Sequence, residues 1–443
     1  MVDIGVISVD SLVKVTKDKK RSDAQRNHAQ GVLVRSMDSG TVEIRNAAIL
    51  GLEQLFDKNS SRPNLLTLES THADSKRKGL IRLFQRSLLD DENVSAGLRR
   101  AVEDSDPDVR QTGFLVSVLS RDKLAKSLRE RDKDLDRKLS ELEKFDFDAS
   151  EKKTTKKKSG AKSSKAAKPA KRKLDAEDYD PLLIAISSRA VDTCLSGARC
   201  LALLEDPRAF GLLLQLSREH DADIRLETCR SFERLGDQRA TDRLCAMLED
   251  EEAKVRDAAF TALGKICAQA DVPLDAASQA MAVQHEDVRM RGLEQLIRFA
   301  NKSKTNLKNA DVRKLLTQAL NDSQAVRSEA FKFALNAKYD GGDDATLRFA
   351  LGSVHEDVRR DVLNEIIAEE KQPWASVLIR EMLNDPELSI RTEAFEYLQK
   401  KTKDADQAER VEWLSNAIAG QYEDMRLAAC KELAKLDLSL IHI

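Results

Sequence analysis

The sequence predicts an all-α protein, a solenoid of helical hairpins arranged in two segments. The stretch 206–267 contains the same unit twice, DPRAFGLLLQLSREHDADIRLETCRSFERLG followed by DQRATDRLCAMLEDEEAKVRDAAFTALGKIC. Asp206 and Asp237 lie 31 positions apart, which is about the length of one solenoid repeat. Aromatic residues make up only 4% and charged residues 34%, with 17 Gly and 8 Pro, a composition that favours amphipathic helices over β-structure.

A hydrophobic residue followed by arginine opens the second helix of each unit. The pair recurs at Arg45, Arg110, Arg225, Arg256, Arg289, Arg327, Arg359, Arg391 and Arg426. From Arg225 onward the spacings are 31, 33, 38, 32, 32 and 35, and the gap of 65 between Arg45 and Arg110 fits two units. Lys76 lies near the middle of that gap, and Cys194 lies 31 positions before Arg225. Both mark degenerate units, so about eleven hairpins are predicted.

Each second helix carries one apolar stripe. In the helix that starts near Val255, apolar residues recur at i, i+3, i+4, i+7, i+8 and i+11, ending at Ile266. This is one face of a helix with 3.6 residues per turn, and it must be buried by a neighbour. Gly236 stands where a left-handed C-terminal cap is expected.

The repeat pattern is interrupted in the middle of the chain. Leucines spaced 4, 7, 4 and 3 over 121–146 predict one long charged helix, either the first helix of a further hairpin or an arm that closes the N-terminal array. Residues 148–177 lack large hydrophobes and are predicted to be a disordered linker. The expected organisation is therefore a helical segment over 1–147, the linker over 148–177 and a solenoid over 178–437.

The N-terminus does not resemble a signal peptide. The N-terminus has no basic start before an apolar core, and no stretch offers the roughly 18 apolar residues of a membrane span, so a cytoplasmic protein without membrane contact is expected. The six cysteines include no C-x-x-C and fall mostly among apolar helical positions, which favours reduced thiols. Residues 438–443, LSLIHI, resemble a translated sequencing adaptor, so we expect a non-native tail on a fragment.

The sequence contains no recognisable catalytic or metal-binding constellation. Nucleophile elbows, phosphate-binding loops and H-E-x-x-H are missing, and the carboxylates are too evenly spread to form an acid/base couple. His220, His285 and His355 recur near the repeat arginines, but each turn supplies only one, which favours exposed cap residues over a metal site. We expect no catalytic residue, no cofactor and no metal.

The segment 151–173 is the strongest local departure from the repeat. It holds ten Lys and one Arg against one acid, a balance of +10, whereas the whole chain has a net charge of −2. These residues make up a candidate site for polyanions, with a soluble spacer as the alternative, and the absence of aromatics predicts non-specific, salt-sensitive contact with phosphates. The basic residues are Lys152, Lys153, Lys156, Lys157, Lys158, Lys162, Lys165, Lys168, Lys171, Arg172 and Lys173.

The doubled unit, with its D-x-R-A turn, its ED-x-x-x-VR turn and its A-L-G ending, resembles the bacterial HEAT-like repeats first associated with phycobilin lyases. The resemblance covers about 180–437 well and 20–120 more weakly. It implies a right-handed α-α superhelix of the HEAT/armadillo type, in which Asp and Arg of successive turns form a ladder between repeats. The ladder residues would be Arg45, Arg110, Asp223, Arg225, Arg256, Asp287, Arg289, Arg327, Asp357, Arg359, Arg391 and Arg426, with departures at Cys194 and Lys76.

A long array of individually ordinary repeats offers a large contact area, which favours a binding function. We therefore expect a non-catalytic scaffold that binds an unidentified protein along the concave surface formed by the second helices. One alternative is a nucleic-acid-associated protein that uses the segment 151–173. A second alternative, a bilin lyase, rests on the name of the repeat family.

Overall fold

The chain is all-α, as the sequence predicts. The structure is a computed structural model that describes residues 6–89, 92–145, 174–337, 343–369, 371–372, 374–403 and 407–436, and no β-strand occurs in these ranges. Contacts divide the chain into two compact units, Met1–Arg243 (unit 1) and Leu244–Ile443 (unit 2). Within the described ranges, no helix combines the length and apolar character that crossing a membrane requires.

Helices α1 to α14 begin in unit 1. Their bounds are α1 Val6–Lys17, α2 Asp23–Ser36, α3 Val42–Glu53, α4 Arg62–Thr67, α5 Ala73–Gln85, α6 Glu92–Val102, α7 Pro107–Leu119, α8 Asp122–Arg129, α9 Lys133–Glu143, α10 Asp180–Ile186, α11 Val191–Leu203, α12 Ala209–Leu216, α13 Ala222–Leu235 and α14 Thr241–Met247. Short 3-10 turns precede α10 and α14, at Ala176–Tyr179 and Gln238–Ala240.

The remaining helices belong to unit 2. Their bounds are α15 Ala253–Gln269, α16 Asp275–Ala280, α17 Glu286–Ala300, α18 Lys304–Leu307, α19 Ala310–Leu320, α20 Gln324–Asn336, α21 Asp343–Ala350, α22 Glu356–Ala368, α23 Ala375–Met382, α24 Leu388–Lys401, α25 Gln407–Ile418 and α26 Glu423–Leu433.

The described residues contain eleven consecutive helix pairs, in agreement with the spacing of the arginines. The second helices are α3, α5, α7, α11 and α13 in unit 1 and α15, α17, α20, α22, α24 and α26 in unit 2. Within each unit, successive second helices pack side by side, so that they form a row. We call the side of this row that faces away from the first helices the second-helix face. Helices α1, α8, α9 and α18 lie outside the eleven pairs.

The core of each unit lies between the two rows of helices, where the predicted stripes meet. In α15, Val255, Ala259, Leu263 and Ile266 are fully or almost fully buried, as the period of 3.6 residues predicts. Gly236 ends α13 with φ 67°, and its N–H donates to the carbonyl of Phe232 at 2.9 Å, so the predicted left-handed cap is present.

The single long helix predicted over 121–146 is wrong, because the structure divides this stretch into α8 and α9. The carboxylate of Asp132 accepts hydrogen bonds from the backbone N–H groups of Asp134 and Leu135, at 2.9 and 3.1 Å, and thereby starts a new helix. The leucine spacing of 7 spans this break, so the apolar seam by itself does not reveal it.

The compact units do not coincide with the segments expected from the sequence. Unit 1 joins helices from both sides of the lysine-rich segment, because α7 packs against α10 and α11. Residues 174–177, expected to be part of a disordered linker, are described, and a 3-10 turn starts at Ala176. Most of the expected linker, over 148–173, and the suspected tail over 438–443 lie outside the described residues.

Gly79 provides a test of the packing between α4 and α5. A Cβ added at Gly79 would lie 1.6 Å from Thr67 Oγ1 and 2.8 Å from the carbonyl oxygen of Asn64. We expect Gly79→Ala to lower the free energy of unfolding by about 1–3 kcal/mol, because the close approach of the two helices leaves no room for a methyl group. Chemical denaturation measures the change.

The matched control is Gly211→Ala in α12, where an added Cβ has nothing within 4 Å. This variant should be more stable than the parent by about 0.5–1 kcal/mol, because alanine favours the helix. If Gly79→Ala proves as stable as Gly211→Ala, the close packing of α4 on α5 is contradicted.

Candidate interaction surface

Each repeat arginine first bonds to the loop that precedes it. Arg256 Nη1 donates to the carbonyl oxygens of Asp250 and Glu251, at 2.8 and 3.1 Å. These carbonyls follow the first helix of the same hairpin, where helix ends leave acceptors without intrahelical partners. Equivalent bonds are made by Arg45, Arg110, Arg225, Arg289, Arg327, Arg359, Arg391 and Arg426. The arginine therefore fixes the angle between the two helices of its own hairpin.

The other edge of the guanidinium reaches the next hairpin. Arg256 Nε and Nη2 donate to Asp287 Oδ2 at 3.1 and 2.7 Å. The corresponding pairs are Arg45 with Asp74, Arg110 with Asp192, Arg289 with Asp322, Arg327 with Asp357, Arg359 with Asp385 and Arg391 with Asp424. We call this two-sided contact the arginine joint.

The acceptor of the joint occupies one of two places in the next hairpin, the first turn of its second helix or the loop before that helix. Asp287 and Asp357, which the family resemblance named, lie two residues before the next arginine. Asp322 and Asp385 lie at the start of the loop, five or six residues before it, and sequence reasoning missed them. An aspartate just after each first helix is the signal that would have identified them. Asp223 lies in the first turn of α13, where its N–H donates to the carboxylate of Asp221.

Each of the two degenerate repeats makes only one of the two contacts of the arginine joint. Lys76 Nζ donates to Asp104 Oδ2 at 2.6 Å, which preserves the link to the next hairpin. Cys194 Sγ lies 2.8 Å from the carbonyl oxygen of Ser188 and so takes the place of the arginine in the preceding loop. An ammonium or a thiol makes fewer directed bonds than a guanidinium, so neither residue makes both contacts in full.

A second row of hydrogen bonds connects neighbouring repeats, and the sequence pattern did not predict it. Glu249 Oε1 accepts from the backbone N–H of Gln284 at 2.9 Å, and Asn321 Oδ1 accepts from the backbone N–H of Val354 at 2.8 Å. His355 Nε2 lies 3.1 Å from the carbonyl oxygen of Asn321. His285 and His355 are the N-cap residues of α17 and α22, and no group of three or more potential metal ligands occurs in the described ranges. These side chains therefore link neighbouring loops.

Three of the joint aspartates, Asp74, Asp287 and Asp424, are stabilised in their charged form. Burial by itself raises the pKa of Asp287, but hydrogen bonds and the charge of Arg256 outweigh it and leave the pKa below its usual range. Asp74, paired with Arg45, and Asp424, paired with Arg391, show the same balance and a lowered pKa. In contrast, burial raises the pKa of the Cys200 thiol to about 12, so this cysteine stays protonated.

The second-helix face of unit 2 is polar and carries its own ion pairs. Arg291 of α17 bonds to Asp257 of α15, and Arg360 of α22 lies 3.3 Å from Glu393 of α24. Between α15 and α17 the face has a groove of about 250 Å³ with Phe260 in its lining. The second-helix face thus presents charged and amide groups that recur from one helix to the next. Such a surface is suited to contact with another macromolecule.

The lysines of the polyanion candidate, Lys152 to Lys173, lie outside the described residues. The described contacts therefore concern the joints and the second-helix face.

Residues 180–264 and 207–298 match the family model described as HEAT repeats. This part of the chain, residues 180–298, is therefore made of HEAT repeats. The matched HEAT repeats include α10 to α17, and the same joint contacts continue in the hairpins on either side of them. No curated protein matches the chain.

Solved structures with low similarity include an engineered protein at 13% identity and a TM-score of 0.31, covering 88% of this chain and 98% of that one. Another is a structure of tubulin recruitment and assembly by microtubule polymerases with tumor overexpressed gene domain arrays. It shows 13% identity and a TM-score of 0.33, covering 81% of this chain and 96% of that one. Similarity at this level carries no inference about function.

The lowered pKa values predict a loss of stability in acid. A carboxyl whose folded pKa lies below its unfolded value of about 3.9 stabilises the fold fully above about pH 5, and this contribution is lost as the pH falls through the folded pKa. We expect the unfolding free energy to decrease from pH 5 to pH 3, as measured by urea denaturation. Asp287→Asn removes one such group, so its stability should depend less steeply on pH over this range. An equal or steeper dependence would contradict the role of the joint.

Proposed function

We propose that the protein is a non-catalytic scaffold that binds another protein through the second-helix face of unit 2. The observation that carries the proposal is the polarity of that face at one repeat position. Five residues after the joint arginine, which we call the outer position, each second helix of unit 2 has a polar side chain that is exposed or half-buried. These residues are Thr261, Glu294, Lys332, Asn364, Glu396 and Lys431.

A row of six such helices combines a rigid backbone with freely variable outer positions. The joints hold neighbouring hairpins in register, so that outer side chains are displayed at a nearly constant repeat distance. The ion pairs between neighbouring helices, such as Arg291 with Asp257, pre-order the side chains that a partner would meet. The joint aspartates Asp322 and Asp385 are paired with arginines and form no acid/base couple with each other.

Two alternatives receive less support. The nucleic-acid hypothesis rests on lysines outside the described residues and stays a prediction from the sequence. The bilin-lyase hypothesis rests on the name of a similar repeat family, and no contact in the described ranges favours it.

Site-specific photocrosslinking in the source cell tests the scaffold proposal. A photoreactive residue at Lys332 or Glu396 in the full chain should yield an adduct with one defined protein. The controls are Lys314 and Glu412, which are exposed on the first helices α19 and α25 of the same unit and should yield no such adduct. Charge reversal at Arg291 and Arg360 should reduce the adduct at least tenfold, because it breaks the pre-ordered ion pairs.

Equal adducts from both helix rows, or none from the second-helix positions, would contradict the assignment of the face.

A further inference from the structure

Helix α9 lies across three consecutive second helices of unit 1. At its start, Arg199 Nη2 of α11 donates to Asp132 Oδ2 at 2.5 Å. Just beyond its end, the carbonyl oxygen of Phe145 accepts from Gln85 Nε2 of α5 at 2.8 Å. Between these points α9 packs against α7 and α5. A helix of 11 residues therefore spans α11, α7 and α5 on their second-helix face.

The array does not depend on α8 and α9 for its continuity. The joint between Arg110 and Asp192 connects α7 directly with α11, with the closest pair at 2.7 Å. The hydroxyl groups of Ser188 and Thr193 also donate to the carbonyl oxygen of Val102, at 3.4 and 3.3 Å. Helices α8 and α9 are thus an addition placed on the array, and we call them the insert (residues 122–143).

The second helices differ in composition where the insert lies on them. At the outer position, α5 has Ile81 and α7 has Leu115, which are only 2% and 6% exposed, and Val118 one turn further along α7 is fully buried. The same outer position is polar in every second helix of unit 2. Beneath the insert, the second-helix face of unit 1 is therefore apolar on α5 and α7, whereas α11 has Arg199 at the outer position. The apolar patch on α5 and α7 is covered by part of the chain itself.

The covering helix has the pattern of a helical ligand. Leu135, Leu139 and Leu142, at i, i+4 and i+7, are buried against the face. The opposite side of α9 is charged and exposed, with Arg137 and Glu141 bonded to each other at 3.0 Å. Amphipathic helices that bind in grooves use the same spacing of anchors.

We propose that the face formed by α5, α7 and α11 is a docking site for an amphipathic helix, and that the insert is its resident occupant. The site accepts a helix with leucines at i, i+4 and i+7 and an acidic residue at its N-cap, which meets Arg199. Displacing the insert breaks none of the arginine joints, so the site opens without unfolding the array. The inference rests on the proposed function in that it assigns a second, covered face for protein binding.

A peptide with the sequence of residues 121–145 is the probe. The insert competes with it at the high effective concentration of a tethered ligand, so the unaltered full chain binds the labelled peptide weakly. Leu139→Ala in the full chain weakens the resident helix and should raise the affinity for the peptide at least tenfold, as measured by fluorescence anisotropy. The control Glu141→Ala changes an exposed side chain of α9 and should leave the affinity unchanged. A peptide carrying the same leucine-to-alanine change should not bind.

No gain in affinity for a Leu139→Ala chain with unchanged helix content would overturn the proposal. Hydrogen exchange of the unaltered chain decides the question independently of how that variant folds. The amides of α8 and α9 should exchange together and faster than those of α5 and α7. Protection of the insert equal to that of α7 would show that it is a permanent part of the core and would overturn the proposal. Neither result affects the crosslinking test of unit 2, so the two proposals fail separately.

Discussion

The arrangement of the repeats depends on one arginine side chain per hairpin that bonds in two directions. Arg391 shows the full geometry, with Nη1 on the carbonyl oxygens of Asp385 and Pro386 at 2.7 and 2.9 Å, and with Nε and Nη2 on Asp424. Only guanidinium has five donors in a planar fork, so only arginine satisfies helix-end carbonyls and a neighbouring carboxylate together. Apolar burial supplies most of the energy of stacking, whereas the joint fixes which residues of successive loops face each other.

Because the joints fix how successive hairpins stack, the residue types on the outer side of the second helices can vary. In unit 2 this freedom is used for polar residues such as Lys332 and Glu396, which contribute nothing to the joints. In α5 and α7 of unit 1 the same position holds Ile81 and Leu115, and the chain covers them with α9. The same repeat architecture therefore provides an exposed polar face in unit 2 and, in unit 1, an apolar face on α5 and α7 that the insert covers. The contrast explains why the repeats are regular in their cores and irregular on their surface.

The periodic part of the structure was predictable from the sequence, and the part that depends on loop geometry was not. The repeat period and the helical spacing of apolar residues predicted the helix pairs and the place of each repeat arginine at the start of a second helix. The acceptor at Asp385 was missed, because its contact with Arg359 depends on how a loop turns and not on repeat spacing. The break at Asp132 was missed because a capping aspartate looks like any other acid in a charged stretch. Ile81 and Leu115, at a position that is polar in every second helix of unit 2, were a readable sign that something covers α5 and α7.

A double-mutant cycle on Arg289 and Asp322 is the most direct test of the joint. The two side chains lie in successive hairpins and approach to 2.8 Å. Unfolding free energies of Arg289→Ala, Asp322→Ala and the double variant should give a coupling energy of about 1–3 kcal/mol, because each single change leaves the other partner without its counter-charge. Additive effects, within about 0.5 kcal/mol, would show that the two residues act independently and would contradict the account.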